Sequence, residues 1–217
     1  MPLLTRAPSL IGLALAAMFT SGLGAGLLLQ RHDAQEGFQQ EASRIAEVLR
    51  IEPGDEVGDI RAGSGRWSVD LARRVGPEGH VFATAGPQPA HELMATVAAS
   101  GLDNLTVITR TPGESPRLPL GCCRAILLRL VYSDLRRERP AFLSNLARVL
   151  RPGGLVAVID VHPDSPAAPP RGTLSLPAVI QEFTGAGFTL EARYERWFGN
   201  TYCAVFRRGD APGPVGQ

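Results

Sequence analysis

Apolar and polar positions along this chain fall into a long uncharged run followed by short blocks of contrasting period. From Ala7 to Leu29 no residue is charged, and the run is mainly Leu, Ile, Ala, Gly, Met and Phe. As a helix it would reach about 34 Å, enough for a hydrocarbon core of about 30 Å. Arg6 precedes it and Arg31-His32 follow it. The pattern predicts an uncleaved transmembrane anchor over residues 1–32. A cleaved signal peptide, with Gly24 and Gly26 as small residues before a cut, and a buried helix are the alternatives. The run continues through Leu27-Leu28-Leu29, beyond the length of an ordinary signal core. Small residues recur at helical spacing at Gly12/Ala16 and Gly22/Gly26, which lets helix backbones approach in a bilayer. An Ala/Gly-rich segment produces the same spacing without any partner.

Beyond the anchor, residues 33–50 carry Ile45, Ala46, Val48 and Leu49 among Gln and Glu, the pattern of an amphipathic linker helix. Residues 51–208 then alternate between strand and helix periods. Strands are predicted at Glu56–Ile60, Gly79–Thr84, Leu105–Thr109, Ala125–Val131 and Leu155–Asp160. Helices are predicted at Gly65–Val75, Ala90–Ala99, Leu135–Leu150 and Leu176–Gly185. Ala125–Val131 is apolar except for Arg129, as expected of a strand buried on both faces. Arg151-Pro152-Gly153-Gly154 carries the punctuation of a helix end. Phe188–Tyr194 and Thr201–Phe206 read as a closing antiparallel pair, and residues 209–217 as a Gly/Pro-rich disordered tail. Such alternation without an internal repeat predicts an α/β fold with a doubly wound, mostly parallel seven-stranded sheet.

Composition narrows the function classes. The formal net charge is +1, which gives no electrostatic case for nucleic acid. Cys122, Cys123 and Cys203 are odd in number and two are adjacent, so they form no disulfide framework and read as buried strand residues. The four histidines are scattered without metal-ligand spacing. Asp160-Val161-His162-Pro163-Asp164 has a suggestive alternation but no supporting ligand cluster, and no metal is expected.

One loop carries chemistry. Val57-Gly58-Asp59-Ile60-Arg61-Ala62-Gly63-Ser64-Gly65 joins a short strand to a helix through a turn of small residues, an arrangement that brings a ligand close to backbone and helix N-terminus. Together with Gly76–Ala83, Gly101-Leu102-Asp103-Asn104, Leu150-Arg151-Pro152-Gly153-Gly154 and Gly185-Ala186-Gly187-Phe188, it makes the chain resemble the class I S-adenosylmethionine-dependent methyltransferases. The resemblance runs from about Ile45 to Arg208 and implies a Rossmann-like fold.

It also implies a cofactor site at Asp59, Arg61, Gly63, Gly65 and Ala85, with departures. The family has glycine where Arg61 stands and an acid for the ribose hydroxyls where this chain has Thr84-Ala85-Gly86-Pro87. Arg61 could point away, fill the pocket, or capture an anion. Near the adenine amine, Glu114 is the only nearby acid. The fourth strand opens with Arg124 in place of the family's Asp, and Val131-Tyr132 follows it. These departures lead to the expectation of a degenerate site: a membrane-anchored, non-catalytic accessory subunit of a bacterial membrane complex, such as a bioenergetic assembly. It would bind no cofactor and pack against integral membrane proteins through Gly12, Ala16, Gly22 and Gly26. The implied location is the bacterial inner membrane, single-pass, and the short basic amino terminus points the domain to the periplasmic side. The alternative is an active enzyme using S-adenosylmethionine on a small or lipophilic substrate near the membrane, with Tyr132, Asp134 and His162 on the substrate side.

Overall fold

Strands whose sequences read as unbroken apolar runs must be covered on both faces, and they occupy the middle of the sheet. In the computed structural model, which describes residues 32–86, 90–109, 118–166 and 172–209, the chain divides into two units, Met1–Glu41 and Ala42–Gln217. Residues 32–48 are helical (α1). In the first unit, His32 Nε2 lies 3.0 Å from Glu36 Oε1, one turn away.

In the second unit, seven strands run in the order β3-β2-β1-β4-β5-β7-β6. They are β1 (Glu56–Asp59), β2 (His80–Thr84), β3 (Leu105–Ile108), β4 (Cys123–Arg129), β5 (Leu150–Val161), β6 (Phe188–Tyr194) and β7 (Thr201–Arg208). The first five are mutually parallel, and β7 is antiparallel to both β5 and β6. Helices α2 (Arg66–Val75), α3 (His91–Ser100), α4 (Arg139–Val149) and α5 (Leu176–Gly185) cover the faces. The period-2 alternation of β4 divides the core. Ile126 and Leu128 join α4 and α5 on one side, while Ala125 and Leu127 join α2 and Leu93 of α3 on the other.

Two boundaries differ from the sequence expectation for local reasons. The predicted helix over Leu135–Leu150 is two elements: a 3₁₀ segment, Ser133–Glu138, and then α4. Arg136 breaks it at φ 43, ψ −111, and Pro140 starts α4 in its first turn, where its missing N–H costs nothing. The Arg151-Pro152-Gly153-Gly154 stretch does follow the end of α4 at Val149, but β5 already begins at Leu150 rather than Leu155 and carries it, with a register shift against β4 between Cys123 and Ala125. Cys122 and Cys123 are joined by a disulfide between neighbours, and Cys203 is a buried free thiol in β7.

The single-pass inner-membrane assignment is corrected. No helix among the described residues is long and apolar enough to cross a membrane. The proposed anchor, with Gly12, Ala16, Gly22 and Gly26, and the proposed tail from residue 210 onward lie outside the described residues, as does Glu114.

Candidate functional site

The strand order reverses direction at β1: the chain winds outward through β2 and β3, then returns to place β4 on the other flank of β1. Open parallel sheets take ligands in the crevice beyond the carboxyl ends of the strands at such a switch point. Here that edge is formed by Asp59, Thr84, Arg129 and Val161, the last residues of β1, β2, β4 and β5.

The loop after β1 is stitched to its neighbours through backbone groups. Ile60 N donates to Leu127 O at 3.1 Å, and Ala62 N to Thr84 O at 2.9 Å. Arg61 N donates to the hydroxyl of Thr84 at 2.9 Å. Thr84 is fully buried, so its hydroxyl and carbonyl are satisfied by the loop itself. The loop places Arg61 and Gly63 at φ 55 and φ 57 and delivers Gly65, at φ 84, as the N-cap of α2. A β-carbon on Gly65 would lie 2.7 Å from Leu93 Cδ1, so glycine there serves both the turn and the close packing of α3. Around Gly63 a β-carbon would meet nothing within 4 Å, so the loop is open there.

Two residues that are not glycine hold left-handed backbone beside the switch point: Arg61 after β1, and Leu130 at φ 58 after β4. Each such conformation costs on the order of 1–2 kcal/mol for a side chain with a β-carbon. Leu130 N donates to Ile159 O at 2.7 Å, fixing the turn, and its side chain is 42% exposed.

Asp59 is the buried charge of the site. Its Oδ2 accepts from Ser68 Oγ at 2.6 Å, which ties the end of β1 to the first turn of α2. Burial pushes its carboxyl up to about 6, against the opposing pull of the Ser68 hydrogen bond and the positive charge of Arg129. The Arg129 guanidinium lies over the Trp67 ring, 4.6 Å from its centroid. A second latch closes the β5 end: Asp160 Oδ2 accepts from Ser133 N at 2.9 Å, Leu174 N donates to Ser133 Oγ at 3.1 Å, and Tyr202 OH donates to Leu174 O at 3.0 Å.

The structure thus brings together all five residues expected around the cofactor: Asp59, Arg61, Gly63 and Gly65 in one loop, and Ala85 next to Thr84 with its amide donating to Ile108 O at 2.9 Å. It does not bring together the three substrate-side candidates. Tyr132 is fully buried, its hydroxyl donates to Glu182 Oε2 at 2.6 Å, and its ring packs on Phe142 and Phe183. Burial and the neighbouring Glu182 push that phenol well above its ordinary range. Asp134 is exposed at the start of the 3₁₀ segment. His162 lines a separate polar cavity of about 480 Å³ with Asp164, Glu195 and Arg196, its Nδ1 3.6 Å from Asp164 Oδ2.

Tyr132 therefore acts through the core. Glu182 also meets Arg139 Nε at 2.9 Å, so removing the hydroxyl leaves that carboxylate paired. Tyr132→Phe is expected to lose about 1.5–2 kcal/mol, read as a lower urea midpoint with an unchanged slope. An unaltered midpoint would show that the hydroxyl contributes nothing. Sequence reading missed Ser68, Thr84, Asp160 and Glu182 as partners. Thr84, adjacent to the missing acid, and Asp160, in the Asp160–Asp164 alternation, carried a local signal.

No family model matches the chain. It is 29% identical over 147 residues to nocamycin O-methyltransferase of Saccharothrix syringae, covering 67% of this chain and 52% of that enzyme. It is 31% identical over 117 residues to an arsenite methyltransferase of Halobacterium salinarum, covering 52% and 29%. The chain thus spans about half or less of the length of these curated relatives. A crystal structure of an S-adenosylmethionine-dependent methyltransferase from Aquifex aeolicus superposes with a TM-score of 0.69 at 20% identity, covering 76% of this chain and 88% of that one. These relatives are named as enzymes, which corrects the expectation of a non-catalytic membrane accessory subunit and removes support for a site without cofactor. The homologues and structural neighbours of this chain are class I S-adenosylmethionine-dependent methyltransferases, and its domain is built on their Rossmann-like fold.

Proposed function

We propose that the chain is an S-adenosylmethionine-dependent methyltransferase acting on a small organic or lipophilic nucleophile. The observation that carries this reading is the cradle from Asp59 to Gly65. It has open space around Gly63, lies at the switch-point edge of the sheet and leads into the amino end of α2. The residues present fit the cofactor at its methionyl end. The α2 amides would offer donors to its carboxylate, and Asp59, ionised above pH about 6, would supply negative potential favourable to its sulfonium charge. At the ribose end, Ala85 offers a methyl group where a carboxylate would accept two hydroxyl hydrogens. When bound, the cofactor supplies an electrophilic methyl group. The protein's part is alignment, which alone contributes several kcal/mol.

The cysteines favour an organic substrate over arsenite. Cys122 and Cys123 sit at the amino end of β4, about 20 Å down that strand from the crevice edge, and Cys203 is a single buried thiol.

Calorimetric titration of S-adenosylmethionine into the full chain tests the reading. Saturable binding in the micromolar to submillimolar range is expected, and absence of heat at millimolar cofactor would overturn it. Ala85→Asp is expected to tighten binding about tenfold, since each unsatisfied buried hydroxyl costs on the order of 1–3 kcal/mol.

A further inference from the structure

We infer that the β2 end of this crevice is an anion subsite, and that Arg61 there receives the phosphate of an adenosine phosphorylated on its ribose, in competition with S-adenosylmethionine. The inference rests on the nucleotide-binding reading of the crevice and specifies what its ribose end accepts. In crevices of this topology, an acid after the second strand binds ribose hydroxyls, whereas a nearby arginine accommodates a ribose phosphate. This chain has made both changes at once: Ala85 stands where the acid belongs, and Arg61 stands in the facing loop.

The stem of Arg61 passes beside that place. Its amide is fixed to the Thr84 hydroxyl at 2.9 Å, at the end of β2. Its Cβ and Cγ lie 3.8 and 3.9 Å from where a β-carbon on Gly86 would be, so the stem runs along the backbone just after Ala85. The Nε is buried, which places the base of the guanidinium within the protein surface. Left-handed backbone at φ 55 is an unfavourable choice for arginine, yet the turn is built around it. Helix α3 starts at His91 with Ala90 as its N-cap and no side-chain cap hydrogen bond, which leaves its first amides without a side-chain acceptor, while Glu92 in that turn is exposed. A planar guanidinium suits a phosphate dianion, which it can meet with two parallel hydrogen bonds.

The test is calorimetry on the full chain with adenosine, adenosine 2′-monophosphate, adenosine 3′-monophosphate and inorganic phosphate. At least tenfold tighter binding of one ribose phosphate than of adenosine is expected, with displacement of S-adenosylmethionine. Arg61→Gly removes the guanidinium and suits the positive φ, so the variant should fold, as a thermal melt will show, and lose the preference. Ala85→Asp should reverse it in favour of adenosine. If adenosine and S-adenosylmethionine bind but neither phosphate is preferred, the anion subsite is wrong and the methyltransferase reading stands. If inorganic phosphate binds as tightly as the nucleotides do and displaces no S-adenosylmethionine, Arg61 lies outside the nucleotide site and the inference falls. If no nucleotide binds at all, both readings fall together.

Discussion

Asp59→Asn is expected to melt higher than the wild type at pH 7, to melt with it near pH 4, and to bind S-adenosylmethionine about tenfold more weakly. The carboxyl of Asp59 ionises at about 6 in the folded domain against an ordinary 3.8, because it is buried. Below pH about 4 it is protonated in both folded and unfolded chains and contributes no difference. Between about 4 and 6 the folded domain holds a proton that the unfolded chain has released, so stability falls as pH rises through this window. Above about 6 both are ionised, and the folded domain carries the whole charging cost, on the order of 3 kcal/mol. The amide carries no such cost and can still accept from Ser68, so the variant gains at neutral pH, by several degrees for a domain of this size. A gain in stability with a loss of binding is the mark of a residue kept for function. Matched thermal melts at pH 4, 5, 6 and 7, with cofactor titrations at pH 7, check both halves. A variant less stable than wild type at pH 7 would mean that Ser68 and Arg129 already offset the burial of the charge.

The sheet was legible from the sequence because its signals were strong and local. Ala125–Leu128 could only be a strand covered on both faces, and the chain returns it as the centre of the sheet. The cofactor loop was legible for the same reason, since Gly63, Gly65 and Asp59 form one contiguous motif. What sequence could not show were partners distant along the chain. Tyr132 looked like a substrate-side residue because it follows β4, yet its hydroxyl is taken by Glu182, fifty positions later. Arg61 looked like damage because it coincided with Ala85 and Arg124, two further departures from the family pattern. In three dimensions its amide is held by Thr84 and its stem lies along Gly86, so it belongs to an organised turn. The kink at Arg136 was hidden because the apolar period continues across it, and Pro140 alone hinted at the new helix start.

Phe183→Ala is expected to be the most destabilising of these substitutions, at about 3–5 kcal/mol, while leaving the nucleotide affinity of the folded protein within twofold of wild type. Phe183 is fully buried in α5 and holds three other rings. It stacks on Phe206 of β7 with centroids 4.2 Å apart and 12° between planes, and meets Phe188 of β6 at 5.3 Å and Tyr132 at 5.0 Å. Truncation removes that aromatic surface and leaves a cavity whose walls, strands on one side and α4 on the other, cannot close on it. The Glu182 carboxylate beside it would then hold Tyr132 and Arg139 from a loosened helix. The crevice should be spared, because Val57, Ala62, Val69, Ala83 and Leu93, which support the cofactor loop, pack on the opposite face of the sheet. Chemical denaturation should therefore show a large drop in midpoint, and calorimetry below that midpoint an affinity close to wild type. Loss of binding in protein that is still folded would show that the α5 face positions the crevice, and that Tyr132 and Glu182 form part of the site.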